Sequence, residues 1–287
     1  MVIGGALLAL ALQARAQERT GDVVYVPTPA NVIAAMFEMT GIAAGDFVID
    51  LGSGDGRIVI EAAKQKGARG VGVELDSSLV NTARGAAKRE GVAERVTFVE
   101  GNLFDVDIRK ASVLTLYLLP HINAQLRPRI LHDLRPGTRV VSHDFDMGAW
   151  KPDAQRELPV PNKSYGPPRS QVYLWYVPAN LAGTWQWRLP VDGTVRLYEA
   201  RMRQRFQEVN AEALIDGSTA TGHGVALRGD LIAFELSRAI AGRTVRHEFS
   251  GRVAGDRISG RVRIGGAGGE TLAWEASRTE RAAMSIE

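Results

Sequence analysis

A glycine-rich turn between two apolar runs is the feature that most constrains how this chain folds. The apolar residues 47–49 suit a buried parallel strand, and Asp50 follows them directly. Three glycines then occur at alternate positions, which permits a tight turn and lets a ligand lie against bare backbone. They are Gly52, Gly54 and Gly56. This segment therefore predicts a ligand-binding loop at the end of a strand in an α/β domain.

The residues after the loop indicate which kind of ligand it suits. Residues 58–63 resume with helical character, so the amides of a helix N-terminus face the loop. A second apolar run, residues 70–73, ends at Glu74, where a carboxylate can accept both hydroxyls of a ribose. The dinucleotide fingerprint has the spacing G-x-G-x-x-G and holds a pyrophosphate. Here the spacing is G-x-G-x-G, and the Asp50 carboxylate suits an ammonium group but would repel a pyrophosphate.

Composition narrows the classes of function. The chain has 287 residues, enough for one large or two ordinary domains, and its formal net charge is only +3. It has no dense basic run of the kind that tracks a nucleic-acid backbone, so we expect no nucleic-acid partner. The absence of cysteine from the sequence excludes disulfides, thiol catalysis and cysteine-ligated metals. The histidines lack the spacing of metal ligands, so we expect no metal site.

Two patterns divide the chain into parts. Up to about residue 178, apolar runs alternate with helical segments at a spacing that implies right-handed crossovers and a parallel sheet. Beyond Pro178 the chain reads as nearly all β, and the similar segments 227–232 and 253–258 each have a Gly-Asp turn between strand-like runs. We expect residues 179–287 to form a small antiparallel barrel or sandwich of about six to eight strands.

Individual elements can be assigned within the first part. Predicted strands cover residues 47–49, 70–74, 96–99, 113–118, 139–142 and 171–177. Predicted helices cover residues 31–40, a segment from 58, 77–91 and 122–134, the last of them interrupted near Pro128. Residues 146–170 contain five prolines and suggest no helix.

The N-terminus resembles a secretory signal. Residues 3–12 are apolar and rich in alanine and leucine, and Ala14-Arg15-Ala16 resembles a cleavage site. A basic region does not precede them, and the stretch is short for a membrane span. We expect residues 1–16 to be a signal-like or anchor segment that associates the protein with a membrane. The alternative is an apolar helix that remains on the mature protein.

Several motifs in one order resemble a branch of the class I S-adenosylmethionine (SAM)-dependent methyltransferases. The branch includes the archaeal broad-specificity protein-lysine methyltransferase and the mitochondrial enzymes that methylate the adenine nucleotide translocase and the ATP synthase c subunit. The matching segments are residues 25–29, 50–58, 72–76, 115–120 and 137–145. The resemblance implies a Rossmann-like seven-stranded sheet in residues 17–178, SAM as the cofactor and a protein lysine as the substrate. Residues 179–287 lie outside it.

The resemblance also implies roles for residues at matching positions. Asp50 and the glycine loop, including Ser53, would hold the methionine end of SAM, and Glu74 would hold the ribose. Asn102 would lie beside the adenine, with Leu103 in the same cofactor-binding set. A lid over SAM would come from Tyr25, Thr28 and Pro29. The target nitrogen would approach the methyl group near Thr115, Tyr117 and Leu118. Of these three, Thr115 is assigned to the cofactor-binding residues.

The acceptor nitrogen needs a lone pair, so the substrate side of the site must accommodate a neutral amine. We expect a narrow slot beside SAM in which Tyr117 and a carboxylate such as Asp144 steer the lysine ammonium, with catalysis mainly by positioning. Two alternatives remain open: a small-molecule methyltransferase whose pocket is shaped by the β domain, and a non-catalytic envelope protein with the same fold. The signal-like N-terminus favours the cell envelope or periplasm, whereas dependence on SAM favours the cytoplasm.

Overall fold

Residues 30–176 form a mixed sheet flanked by helices, as the alternation of apolar runs predicts. The computed structural model describes residues 25–240, 242–265 and 268–287, so the predicted signal-like segment 1–16 lies outside the described residues. The helices are α1 (Ala30–Thr40), α2 (Arg57–Lys66), α3 (Ser77–Arg89) and α4 (Pro120–Asp133). The strands are β1 (Phe47–Leu51), β2 (Arg69–Glu74), β3 (Val96–Glu100), β4 (Val113–Leu116), β5 (Arg139–His143), β6 (Ala154–Pro159) and β7 (Arg169–Tyr176).

The strand order confirms the predicted seven-stranded methyltransferase-type sheet. The order is β3-β2-β1-β4-β5-β7-β6, and strands β1 to β5 pair in parallel. Strand β7 runs antiparallel to both of its neighbours, β5 and β6, and β6 forms the edge of the sheet on this side. The order reverses at β1, whose neighbours are β2 and β4, and ligands bind at such a switch point beyond the carboxyl ends of the strands. The glycine loop follows β1 and therefore lies at this edge.

Local signals explain where the helices begin and end. Asp76 precedes α3, and its carboxylate accepts hydrogen bonds from the amides of Ser78 and Leu79. Gly41 ends α1 in the left-handed conformation that only glycine adopts without strain. The apolar faces of both helices are buried against the sheet.

The structure differs from the sequence prediction in three elements. Helix α4 is not interrupted at Pro128, although the proline removes one intrahelical hydrogen bond and crowds the carbonyl one turn earlier, because burial of Leu126 and Ile130 on either side holds the helix in place. Strand β4 ends at Leu116, two residues earlier than predicted, because residue 120 already begins α4. Strand β6 lacked an apolar pattern because it is an edge strand with mostly exposed side chains.

The C-terminal part is a closed eight-stranded barrel rather than a sandwich. Its strands are β8 (Gly183–Val191), β9 (Thr194–Arg205), β10 (Glu208–Ile215), β11 (Ser218–Arg228), β12 (Leu231–Ile240), β13 (Arg243–Ala254), β14 (Arg257–Ile264) and β15 (Glu270–Arg281). Neighbouring strands pair antiparallel, and β15 closes the barrel on β8. Both predicted Gly-Asp turns are present, because Arg228 pairs with Leu231 and Ala254 with Arg257. The interior is aromatic, with Trp187 in contact with the rings of Tyr198, Phe234, Phe249 and Trp274.

The barrel meets the sheet at the amino-terminal end of β5. Gly229 packs so closely against Gly137 that an added Cβ would lie 2.7 Å from the Gly137 Cα atom. Arg228 stacks on the Tyr176 ring at 4.2 Å and donates a 2.6 Å hydrogen bond to its hydroxyl. Gly137 precedes His143 by six residues, which is about 20 Å of extended strand. The barrel is therefore joined to the sheet at the edge opposite the glycine loop.

In the ranges that the structure describes, no helix is both long and apolar enough to cross a membrane.

Candidate functional site

The glycine loop between β1 and α2 requires glycine at each of its three alternate positions. Gly52, Gly54 and Gly56 all have positive φ, at 77°, 53° and 79°. An added Cβ would lie 2.8 Å from Leu118 Cδ2 at Gly52 and 2.5 Å from Phe98 Cε1 at Gly56, and at Gly54 it would overlap the Tyr25 ring. The loop is therefore fixed both by its own backbone and by neighbours that leave no room for side chains.

Asp50 presents a buried carboxylate beneath this loop. The residue is only 2% exposed, and Thr115 donates a 2.6 Å hydrogen bond to Oδ1. Burial, reinforced by the nearby charges of Glu74 and Asp55, raises the pKa of the Asp50 carboxyl to about 7 despite the bond from Thr115. Because ionisation of Asp50 is unfavourable in this buried position, a positively charged ligand group beside it would stabilise the ionised form.

Glu74 is held rigidly at the end of β2. Its Oε2 accepts a hydrogen bond from the amide of Gly54 at 2.8 Å, and its Oε1 accepts from the amides of Leu75 and Asp76 at 2.8 and 3.0 Å. These bonds join the glycine loop to the next strand. Each oxygen of a carboxylate has more than one acceptor site, so the oriented group can still accept from a ligand.

Residues 25–29 lie across the loop and contact both β5 and α2. The Tyr25 ring covers Gly54, and Thr28 is buried with its Oγ1 3.3 Å from His143 Nδ1. Arg57 donates to the carbonyl of Thr28 at 3.2 Å and forms an ion pair with Asp55 at 2.7 Å. This segment is therefore tied down at two points.

A cavity of about 800 Å³ opens between this segment, the glycine loop and the end of β4. Its size falls within the range of about 300–1,000 Å³ that is typical of small-molecule sites. The lining residues lie between positions 25 and 125, so none belongs to the barrel. The predicted site residues that line it are Tyr25, Thr28, Asp50, Gly52, Ser53, Glu74, Asn102, Leu103 and Tyr117.

Four predicted residues have other positions. Thr115 is fully buried behind Asp50, and Gly54 has its backbone covered by Tyr25. Pro29 precedes α1, where its carbonyl accepts from the amides of Val32 and Ile33. Asp144 lies behind Tyr117, outside the lining.

Tyr117 forms the wall opposite the glycine loop. Its ring stacks on that of His143 with 3.8 Å between the centroids, and its hydroxyl is hydrogen-bonded to that of Tyr165. The Tyr165 hydroxyl in turn donates to Asp144 Oδ2 at 3.2 Å. Burial, together with Tyr165 and Asp144, raises the pKa of Tyr117, so its phenol is neutral at physiological pH.

Sequence reasoning missed two residues of this wall, Lys163 and Tyr165. Both lie between β6 and β7 in a proline-rich segment without periodicity, where no pattern indicates which side chains turn inward. Lys163 Nζ is 2.6 Å from Asp144 Oδ2, and both side chains are only 8% exposed. The only feature of the sequence that distinguishes Lys163 is that no lysine follows it in the chain.

The comparisons with known proteins agree with this geometry. A family model described as the ANTKMT methyltransferase domain matches residues 50–154, which ends before the barrel begins. The protein-lysine N-methyltransferase of Saccharolobus islandicus is 44% identical over 131 residues, covering 45% of this chain and 81% of the relative. The Xenopus laevis lysine N-methyltransferase named for the ATP synthase c subunit is 35% identical over 156 residues, covering 53% and 68%. A solved structure, an RNA methyltransferase from Salinibacter ruber with S-adenosyl-L-homocysteine, has 50% identity and a TM-score of 0.49, covering 54% of this chain and 96% of that one.

The fold, the glycine-loop cavity and these relatives define the chain as a SAM-dependent methyltransferase. More particularly, it belongs to the family of the Saccharolobus islandicus protein-lysine N-methyltransferase, whose length it covers by four-fifths. The resemblance inferred from the motifs is confirmed. The alternative of a non-catalytic envelope protein is set aside, and the idea that the β domain shapes the pocket has no support in the residues that line the cavity.

Proposed function

We propose that this methyltransferase transfers a methyl group from SAM to the lysine side chain of a protein substrate. The observation that carries the proposal is a cavity with two different walls: a carboxylate-bearing glycine loop on one side and the Tyr117 phenol on the other. Protein lysine as the acceptor is supported by the two curated relatives, both named lysine methyltransferases.

The residues of the glycine-loop wall fit SAM. The Asp50 carboxylate would pair with the ammonium of the methionine end, and Glu74 would accept from the ribose hydroxyls. Ser53 lines the cavity, and its buried Oγ has no hydrogen-bond partner among the described residues, which leaves it available to a ligand. Bound SAM supplies an electrophilic methyl group on a positively charged sulfur.

The remaining cofactor contacts surround these residues. Asn102 and Leu103 would lie beside the adenine; the Asn102 side chain is already oriented, since its Oδ1 accepts from the amide of Phe104 at 3.0 Å. Tyr25 and Thr28 would cover the cofactor, with Pro29 fixing the end of the segment. Thr115 would act through Asp50, whose carboxylate it orients.

The substrate side must present lysine as a free amine. A lysine with its ordinary pKa of about 10.4 is only about 0.1% neutral at pH 7.4, and making half of it neutral requires roughly 4 kcal/mol. The slot supplies this partly by desolvation, because Tyr117 and Leu118 line it with uncharged groups. The Tyr117 hydroxyl would position the nitrogen, and water would take the proton.

Two further assignments complete the proposal. We assign residues 17–178 and 179–287 as separate domains, which is supported by the break between the sheet and the barrel at residues 177–182. We assign residues 1–16 to a signal or membrane anchor on their sequence alone. Mass spectrometry of the intact N-terminus after fractionation of the producing cells tests this; an uncleaved chain found only in the soluble fraction would contradict it.

Calorimetric titration of the full chain tests the cofactor site. SAM and S-adenosylhomocysteine should bind in the micromolar range, whereas NAD should not bind. Asp107→Asn is the charge-matched control for Asp50→Asn, because Asp107 pairs with Arg109 on the surface. Failure of both adenosyl ligands to bind would contradict the proposed cofactor site.

A transfer assay tests the acceptor. RNase-treated cell lysate is incubated with the enzyme and SAM carrying a tritiated methyl group, beside lysate whose lysines have been blocked by acetylation, which converts each amine to an amide that cannot accept a methyl group. Label should enter protein only in the unblocked sample, and mass spectrometry should locate it on lysine. Equal labelling of the blocked lysate would exclude lysine as the acceptor.

A further inference from the structure

An ion pair between Asp144 and Lys163 lies behind the substrate wall of the cavity. Asp144 directly follows β5 with a φ of 63°, and its Oδ1 accepts from the amide of Gln171 at 3.0 Å. Its Oδ2 is 2.6 Å from Lys163 Nζ. The backbone and the carboxylate are thus both fixed, and the carboxylate points to the lysine rather than into the cavity.

Lys163 is held by three neighbours at once. Besides the carboxylate, Nζ donates to the carbonyl of Arg169 at 2.8 Å and lies 5.2 Å from the centroid of the Tyr165 ring. A side chain of this kind normally extends into water, and here it is only 8% exposed. The segment between β6 and β7 therefore delivers a cation to a defined place.

Two phenols connect this pair to the cavity. The Tyr165 hydroxyl donates to Asp144 Oδ2 at 3.2 Å and is hydrogen-bonded to the hydroxyl of Tyr117, which lines the cavity. Asp144 is thus two hydrogen bonds from the Tyr117 hydroxyl, and an amine bound to that hydroxyl would be the third step of the chain.

Asp144 is ionised and pairs with the Lys163 cation, whereas His143 beside it is neutral. Burial would raise its pKa, but hydrogen bonds from Lys163 and from the Gln171 amide outweigh burial and hold the pKa below its ordinary value. Burial lowers the pKa of His143, which is therefore uncharged. The other titratable or charged groups that face this wall are Tyr117, Tyr165 and Tyr173, Asp146, His121 on α4, and Asp50, Glu74 and the Asp55–Arg57 pair on the cofactor side.

A bare carboxylate at this position would oppose the reaction. An anion within about 4–6 Å stabilises the charged form of an amine and typically raises its pKa by 1–3 units. The ammonium form has no lone pair and cannot accept a methyl group. A cation paired with the carboxylate cancels this effect.

We propose that Lys163 is a positioning residue that neutralises Asp144, so that the substrate lysine is held at Tyr117 as a free amine rather than as an ammonium ion. The proposal rests on the proposed function. The role of Asp144 is then opposite to the one expected from the sequence, in which its carboxylate steers the substrate ammonium. With Lys163 in place, Asp144 orders Tyr165 and Tyr117 without adding net charge.

The pH dependence of kcat tests this proposal, because kcat reports ionisations in the bound complex. The substrate is the most strongly labelled protein of the transfer assay, purified, and the full-length enzyme is compared with Lys163→Met, Asp144→Asn/Lys163→Met and Lys163→Arg. In Lys163→Met the carboxylate is left unpaired, so the acid limb of the profile should move about 1–2 pH units to higher pH. The double variant removes both charges and should return the limb toward that of the wild type, and Lys163→Arg should keep it within a few tenths of a unit.

The variants are chosen so that folding does not decide the result. Methionine matches the aliphatic stem of lysine and lacks only the amino group, and asparagine is among the residues that best tolerate the positive φ of residue 144. S-adenosylhomocysteine affinity and thermal unfolding are measured in parallel for each protein.

The two proposals fail in different ways. If the wild type labels no protein lysine at any pH, the proposed function is wrong and this inference falls with it. If the wild type is active but Lys163→Met loses rate equally at every pH, Lys163 is structural and only this inference is overturned. A shift that persists unchanged in the double variant would also overturn it, because the shift would then not come from the Asp144 charge.

Discussion

The two buried interiors of this chain contain very different residues. At the carboxyl edge of the sheet, Asp50, Ser53, Thr115 and His143 are all buried within a small volume. The barrel interior is almost entirely aromatic and aliphatic, and its buried histidine, His247, has its Nε2 2.9 Å from the hydroxyl of Tyr198. Burial alone therefore does not mark a site. The barrel also leaves the Nδ1 of His247 and the Nε1 of Trp187 without a hydrogen-bond partner in the part of the chain that the structure describes. What marks the site is that Asp50 and Ser53 line a cavity that a ligand can enter, whereas those two barrel residues do not.

This contrast implies that a substitution in the barrel changes stability without changing cofactor binding, whereas one at the sheet edge changes cofactor binding as well. Trp187→Ala should be the most destabilising single change, since it removes a ring that contacts four others and leaves a cavity. We expect a loss of about 3–5 kcal/mol in the free energy of unfolding of the barrel. Denaturant unfolding followed by tryptophan fluorescence measures it, and S-adenosylhomocysteine affinity should stay within about twofold. A large loss of affinity would show that the two regions are energetically coupled.

Asp50→Asn should stabilise the protein without cofactor. Because the folded-state pKa of about 7 lies above the ordinary value, the folded protein binds the proton more tightly than the unfolded chain, and wild-type stability falls as pH rises from about 4 to 7. Asparagine lacks this cost, so the variant should gain up to about 4 kcal/mol relative to the wild type at pH 8 and little at pH 4. Unfolding curves at the two pH values measure the difference. An equal effect at both would contradict burial of the charge.

The same variant should bind SAM on the order of 100-fold more weakly. Loss of a charged hydrogen-bond partner for an ammonium group costs about 1.5–3 kcal/mol. Wild-type affinity should rise between pH 6 and 8 as Asp50 ionises, and the variant should show no such rise. Calorimetry at these pH values checks both, and wild-type affinity in Asp50→Asn would remove Asp50 from the cofactor site.

Gly229→Ala should have the smallest effect and should act on the joint between the regions. Its positive φ of 63° alone costs a side chain about 1–2 kcal/mol, and the Cβ would press on the backbone of Gly137. We expect the barrel and the sheet to unfold in better separated transitions, with cofactor affinity unaffected. Differential scanning calorimetry resolves the transitions. Gly193→Ala, also at positive φ but with open space around it, is the matched control for the conformational cost alone.

The residues proposed for the cofactor half of the site could be grouped from the sequence because they lie close together along the chain. Strand, glycine loop and Glu74 follow one another in the chain, so spacing and chemistry can be read together, and the structure places Asp50, Ser53 and Glu74 around one cavity. The eight strands of the barrel were also within the predicted number, since the Gly-Asp turns punctuate them.

The substrate half could not be predicted because its residues meet only through the fold. Lys163 and Tyr165 reach Asp144 from a segment whose prolines suppress any periodic pattern, and they do so because β7 runs antiparallel to β5. Asp144 lies behind Tyr117, and its charge is balanced by a neighbour 19 residues away in sequence that no pattern connects with it. Even the interruption predicted at Pro128 was wrong, since tertiary packing of α4 overrides one missing hydrogen bond.

The place where the barrel is joined to the sheet sets a distance. Anything bound to the barrel near Gly229 is held about 20 Å, the extended length from Gly137 to His143, from the mouth of the cavity. If a macromolecular substrate is bound at that point, only side chains about 20 Å from its bound segment can reach the transferred methyl group. Residues that never touch the reacting atoms can in this way restrict which positions of a large substrate are modified.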